Sequence, residues 1–157
     1  MPLIEKIFYP LSVLHHKRIF MHIRKLDIDK IIDIGSHRGE FLEKMLEIQK
    51  INSFYAFEPQ KNIFDYLYKK FSLNKKINLF NYAMDREISK KKLKINKLSM
   101  TSSLAEINRK SLYLKLKNFL TFSKSNFIDE YMVETNTIDN VFKDENLKKT
   151  LLKIDVE

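Results

Sequence analysis

The sequence contains no cysteine, which excludes a disulfide framework and any thiolate metal or redox site. The redox compartment is therefore unreadable, and cytoplasm is the default expectation. Glycine is almost missing: the 157 residues hold two, Gly35 and Gly39, and both fall in the single stretch "DIGSHRG", Asp33 to Gly39. Turns elsewhere are written with Asn, Asp, Ser and Lys, so the backbone of this stretch must need something that the other turns do not. No apolar run approaches the ~18 residues of a spanning helix, and the N-terminus lacks a signal-peptide core and cleavage site, so no transmembrane segment is expected. Arginine is scarce as well. Only Arg18, Arg24, Arg38, Arg86 and Arg109 stand among 29 basic residues, although the net charge is +9. A lysine-dominated surface of this kind looks like codon bias in an AT-rich genome. The densest run, "SKKKLK" from Ser89, alternates like a solvent-facing strand and lacks the arginine and aromatic interleaving that base stacking wants. Nucleic acid is therefore an unlikely partner by composition.

What is present is the material of one soluble domain, 44% hydrophobic and 12% aromatic, enough for one sizeable core. "LSVLHHKRIFMHIRKL", Leu11 to Leu26, is amphipathic and basic. It would suit weak peripheral contact with an anionic membrane, or, more simply, a helix packing Leu11, Leu14, Ile19 and Ile23 on the domain. Residues 1–29 are thus read as an N-terminal helical extension, with the helix spanning Leu11 to Lys25. His15 and His16 are adjacent and point apart on such a helix, so a metal pair is not expected there. Next comes "KIIDIG", a β-branched run that reads as a buried strand. Phe41, Leu42, Met45, Leu46 and Ile48 then recur at helical intervals over Glu40 to Gln49. "NSFYAFEP" predicts a second strand. Ile63, Phe64, Leu67 and Phe71 predict a second helix, with Tyr66 and Tyr68 as boundary residues. "KINLFNYAM", Lys76 to Met84, predicts a third strand.

Strand, helix, strand, helix, strand with short links implies right-handed crossovers and a parallel sheet with helices on both faces. Beyond Asp85 the period is lost. "KKLKIN" suggests an extra strand, "MTSSLAEIN" a polar turn into a short helix, and Ser111 to Phe127 an irregular insertion. "YMVETNTIDNVF" restores order as a strand leading into a helix start. The closing "LLKIDV" reads as a parallel strand buried on both faces, where a domain does not ordinarily stop. Residues 30–157 are accordingly expected to be the N-terminal part of a C-terminally truncated domain.

Parallel sheets bind ligands beyond the carboxyl ends of their strands. A strand delivering Asp33 into a glycine turn and a helix N-terminus would set a carboxylate and free backbone amides around one small volume. Gly35 would permit positive φ and close approach of a ligand, and Gly39 would let the first helical turn sit tightly on the strand. Glu58 at the tip of the next strand is placed to accept hydrogen bonds from both hydroxyls of a ribose. A dinucleotide would want Gly-x-Gly-x-x-Gly and would disfavour Asp33 beside its phosphates. S-adenosylmethionine carries an ammonium and a sulfonium, for which a nearby acid is favourable, so the pattern leans towards the methyl donor. Plainer roles stand beside these: Asp33 could cap the following helix, Asp155 could be a solubilising strand end, and His37 could simply be a loop histidine facing ligand or solvent rather than a base.

Five ordered stretches, "IIDIGSHRGEF", "FYAFEPQ", "NLFNYAMDRE", "TSSLAEIN" and "VETNTIDNVF…LLKIDVE", resemble the FkbM-type family of class I S-adenosylmethionine-dependent methyltransferases. The resemblance covers most of Lys30 to Glu157 and implies a Rossmann-like α/β methyltransferase fold. It also implies that Asp33, Gly35, His37 and Gly39 hold the methionyl part of the donor, that Glu58 holds its ribose, and that Ala83 and Met84 lie near its adenine at the end of the third strand. Asp155 and Glu157 match the family's Lys-Ile-Asp-x-Glu-Gly element and would face the acceptor and the sulfonium. His37 departs from the family's commoner Asn, and the glycine that follows Glu157 in the family element is absent. The family's acceptors are diverse; the expectation here is O-methylation of a small-molecule or glycan-type hydroxyl, with Asp155 or Glu157 assisting deprotonation and no metal, since Asp155 has no second ligand visible in the sequence. The alternative is a binding module that keeps the sheet without the chemistry, or an inactive fragment.

Overall fold

The structure is a computed structural model and describes residues 19–96, 102–103 and 127–156. Of these, residues 19–27 belong to one compact unit and the remainder to a second. In the first, residues 19–23 are helical, and Arg24, Lys25 and Leu26 close the turn by donating their N–H groups to Phe20, His22 and Ile23. Ile23 is buried as its spacing predicts, but Ile19 is 40% exposed. Leu11, Leu14 and the His15 and His16 pair lie outside the described residues, as does most of the stretch from Met100 to Asn126.

The second unit is built on the parallel strands β1 (Lys30–Ile34), β2 (Ser53–Phe57), β3 (Ile77–Phe80) and β8 (Thr150–Ile154), in the spatial order β3-β2-β1-β8. In β1, Ile31 and Ile32 sit beside Asp33 and Ile34 with every one of the four buried, which fits a strand covered on both faces. The helices α1 (Glu40–Ile48) and α2 (Lys61–Phe71) make the crossovers. Both lie on the face to which Asp33 points. Lys153, opposite Asp33 in the β1–β8 register, rests over the Phe41 ring of α1, and Lys70 of α2 pairs with Glu43 of α1 at 2.7 Å. Leu42 and Met45 of α1 and Ile63, Leu67 and Phe71 of α2 are the buried stripes of these helices, at the predicted 3.6-residue spacing.

The opposite face is covered by the short helix α3 (Ile138–Val141), started by Thr137, whose hydroxyl accepts from the Asn140 N–H at 3.1 Å. Phe142, just beyond it, packs with Ile32, Ile34 and Phe57. Phe57 stacks on Phe80 with centroids 4.8 Å apart and meets Phe142 edge-on at 6.2 Å. Such aromatic pairs add about 0.5–1.5 kcal/mol each beyond the area they bury. The unit is thus a mostly parallel α/β sheet with helices on both faces.

Two expectations need correction. The run Lys76 to Met84 is not one strand: β3 ends at Phe80, and Ala83–Met84 form a separate strand, β4, in another sheet. The break is local chemistry, because the Asn81 side chain donates to the carbonyls of Glu58 and Pro59 at 2.8 and 3.2 Å and turns the chain away. "LLKIDV" forms its strand, β8, but is not buried on both faces. Among the described strands it is at the sheet edge, leaving Leu152, Ile154 and Val156 at 45%, 59% and 61% exposure.

The other sheet has the order β4-β7-β5-β6, where β5 is Ser89–Asn96, β6 is Ser102–Ser103 and β7 is Phe127–Asn136. β5 and β7 are antiparallel, with Ser89 opposite Thr135 and Lys90 opposite Glu134. Leu93, Val133 and Ala83 form its small core.

Candidate functional site

All strands of the first sheet run the same way, so their carboxyl ends converge on one volume. Asp33, one residue from the tip of β1, has no solvent exposure. Its Oδ1 accepts from Lys153 Nζ at 2.9 Å, while Oδ2 is buried with no partner. Burial pushes the Asp33 carboxyl above the usual carboxylate range, against the opposing pull of the Lys153 ammonium. The Ser36 hydroxyl donates to the Asp33 carbonyl at 2.9 Å and fixes the start of the turn.

The turn then folds back on β2. Gly35 and Ser36 both donate their N–H groups to the Phe57 carbonyl at 3.0 Å, and Gly39 N–H closes on the Ser36 carbonyl at 2.9 Å. Three residues in it have positive φ: Gly35 at 80°, His37 at 49° and Gly39 at 82°. The positive φ expected at Gly35 is present, and the neighbours that demand glycine are now visible at both positions. A Cβ at Gly35 would run into the carbonyl oxygen of Asp155, so the close approach made there is that of the β8 chain. A Cβ at Gly39 would lie 2.6 Å from Phe71 Cε2 and 2.8 Å from Leu67 Cδ1, so this residue brings the start of α1 against α2 rather than against the strand. His37 keeps a left-handed backbone, which His tolerates better than most residues. Its Nδ1 lies 3.3 Å from Glu40 Oε1, and its Nε2 is buried without a partner.

Glu58 joins this turn to the next. Its Oε2 accepts from the His37 N–H at 2.9 Å and its Oε1 from the Gln60 N–H at 2.8 Å, with the residue almost fully buried. Burial raises its pKa, and the two amide bonds oppose the rise. A carboxylate offers about four acceptor positions, so this one retains capacity beyond the two amides. Asp33, Gly35, His37, Gly39 and Glu58 are therefore brought together. Ala83 is buried and Met84 half-buried in β4, where they pair with Thr135 and Asn136 of β7; Met84 also packs against the Phe57 cluster.

Asp155 follows β8. Its N–H donates to the Ile34 carbonyl at 3.0 Å, and its carboxylate, 74% exposed, lies 3.4 Å from Lys153 Nζ. Glu157 is outside the described residues. Sequence reasoning missed Lys153 altogether. The available signal was a lysine inside a run otherwise read as buried strand, two positions before Asp155 and so on the same face. The lysine-rich strand is engaged locally. Lys90 lies 3.6 Å from Glu134, Lys92 3.9 Å from Glu130, and Lys91 2.6 Å from Asp85 and 3.0 Å from Glu87. Among the described residues no helix is long and apolar enough to cross a membrane.

Parallel α/β sheets take their ligands beyond the carboxyl ends of the strands, and that is where these acids and the glycine turn lie. A family model described as the methyltransferase FkbM domain matches residues 33–157, and the chain belongs to that family. Among solved structures it is similar to a methyltransferase FkbM from Methylobacillus flagellatus KT, at 14% identity and a TM-score of 0.48, over 83% of this chain and 26% of that one. The chain thus spans about a quarter of the length of that protein. A comparison with curated proteins gave no match.

Proposed function

We propose that the chain carries the donor site of an S-adenosylmethionine-dependent methyltransferase acting on a hydroxyl of a small-molecule or glycan-type acceptor. The observation that carries the reading is Asp33: a fully buried carboxylate with one oxygen lacking a partner, at the head of the glycine turn. A buried anion of this kind suits a cationic ligand group and opposes a phosphate, which favours the aminoacyl end of this donor over a dinucleotide. The residues fit the group. Asp33 would take its ammonium, the 35–39 turn would line its methionyl chain, and Glu58 would use its remaining acceptor positions for the ribose hydroxyls. Ala83 and Met84 are assigned to the adenine side.

When bound, the donor supplies an electrophilic methyl group. The protein has to align the acceptor and accept its proton. Asp155, exposed at the tip of β8, is the described candidate for that base, and Glu157 is the second. Family membership supports methyl transfer as the reaction class. Cytoplasm is retained as the working location.

Isothermal titration of the chain with S-adenosylmethionine tests the donor site. At most weak binding is expected, and where it is measurable Asp33→Asn or Glu58→Gln should each weaken it further, by about tenfold or more, the scale of one lost hydrogen bond to a charged group. Equal affinity in all three proteins would sink the site assignment. Donor binding with no methyl transfer to any hydroxyl acceptor would favour the binding-module alternative.

A further inference from the structure

Lys153 stands among the strand tips without a part in the donor site as described above. Its ammonium reaches three oxygens: Asp33 Oδ1 at 2.9 Å, the Gly35 carbonyl at 3.4 Å and Asp155 Oδ2 at 3.4 Å. The first two are hydrogen bonds and the third is an ion-pair contact. The parallel register puts Lys153 directly beside Asp33, and the Phe41 ring of α1 closes the far side with its centroid 5.5 Å from Nζ. Among the described residues Lys153 is the cation recorded in an ion pair with Asp33. A lone carboxylate in such a place neutralises itself by taking a proton, and a protonated carboxyl no longer attracts a cation.

We infer that Lys153 is a positioning residue: its ammonium keeps Asp33 ionised and holds Oδ1, leaving Oδ2 free for the cationic end of a ligand, while Asp155 holds the same ammonium from the acceptor side. The inference rests on the donor reading above. It gives the lysine a task in binding although it need not touch the donor. It also links the two acids, because one cation serves a buried carboxylate of the donor site and an exposed one assigned to the acceptor. The charged and titratable groups around Asp33 are Lys153 and Asp155 from β8, and Glu58 and His37 from the turns; Glu40 of α1 reaches His37.

The test is donor affinity against pH for the wild type, Lys153→Met, Lys153→Arg and Asp33→Asn/Lys153→Met, with S-adenosylmethionine as the probe. The range is about pH 5 to 7.5, below the ~7.7–8.0 at which an α-amino group loses its charge. In the wild type, affinity should fall only at the acid end. In Lys153→Met the same fall should begin at least about one pH unit higher, giving roughly tenfold weaker binding at a pH on that limb, with recovery as pH rises. Lys153→Arg should follow the wild type, and the double variant should bind weakly without that limb. A pH-independent loss in Lys153→Met, or a curve coincident with the wild type, overturns the inference. Urea denaturation of the same proteins checks the pair without the donor: Asp33→Asn should restore stability lost in Lys153→Met at neutral pH, and no restoration also counts against it. If the wild type binds no donor at any pH, the donor reading falls and takes this inference with it, a result distinct from a normal wild type with an unshifted variant.

Discussion

Two regions of this chain concentrate charge and handle it differently. Along β5 and β7, Lys90, Lys91 and Lys92 each have an acid within 4 Å, and the Lys90 and Lys92 pairs are largely exposed to water. At the tips of β1, β2 and β8, Asp33 and Asp155 share the one ammonium of Lys153, and Glu58 is held by backbone amides. Each of these lysines pairs with a nearby acid, Lys90 directly across the β5–β7 register and Lys91 and Lys92 off it, in a medium where each exposed pair is worth ~0–1 kcal/mol. The strand tips bury carboxylates with fewer cations than anions, where both Asp33 and Glu58 are pushed upward in pKa by lost hydration. A surplus of buried acid is costly to the fold and is the kind of arrangement that marks a binding site.

The comparison can be broken most forcefully at Gly35. Gly35→Ala adds a Cβ at φ 80° against the Asp155 carbonyl, and the expected loss is about 2–4 kcal/mol in urea unfolding. A loss below 0.5 kcal/mol would mean that β8 can retreat freely from the turn. Gly39→Ala should cost somewhat less, about 1–3 kcal/mol, because the atoms it meets are side-chain ends that can shift. Adding Phe71→Leu should return part of that loss, and an unchanged deficit would point to φ strain alone.

Asp33→Asn sharpens the contrast through its sign. A carboxyl whose folded pKa is raised binds its proton more readily in the native state, so its ionised form weakens the fold above that pKa, and the penalty vanishes as pH falls below the unfolded value of ~3.9. The variant should therefore have a higher urea midpoint than the wild type at neutral pH, with the gain fading towards pH 4 while donor binding is lost. A lower midpoint at neutral pH would show that the Lys153 pair outweighs the burial. The smallest effects belong to the hairpin. Lys90→Ala and Lys92→Ala should change stability by less than about 0.5 kcal/mol, and less still in high salt. A larger change would place these lysines with the strand tips rather than apart from them.

Much of the first sheet was legible because its elements carry strong local signals. "KIIDI" is β-branched, α1 and α2 repeat their apolar residues at helical spacing, and "YMVETNTIDNVF" reads as a strand leading into the start of α3. That Asp33, the 35–39 turn and Glu58 would converge was legible too, since each sits where a strand ends. What escaped depends on contacts between distant segments. Asn81 splits the third strand by bonding to the carbonyls of Glu58 and Pro59 in the turn after β2, an act that leaves no mark on the period of "NLFNYAM". The exposure of β8 depends on its neighbours, whereas its composition resembles that of β1. Lys153 stood in the Lys-Ile-Asp-x-Glu-Gly element without a role, and only the register opposite Asp33 shows what it pairs with. Gly35 and Gly39 were singled out by rarity, but the atoms they make room for, on Asp155 and on Phe71 and Leu67, are far away in sequence.

The carboxylate of Glu58 has one more consequence, visible in time rather than in space. It receives the amide proton of His37 through one oxygen and that of Gln60 through the other. Each of those protons can exchange with deuterium only when its own bond to Glu58 opens. If the two turns part together, the two amides will exchange at matched rates and slow together when a ligand is added. Different rates would show that the turn after β1 moves by itself while the one after β2 stays closed.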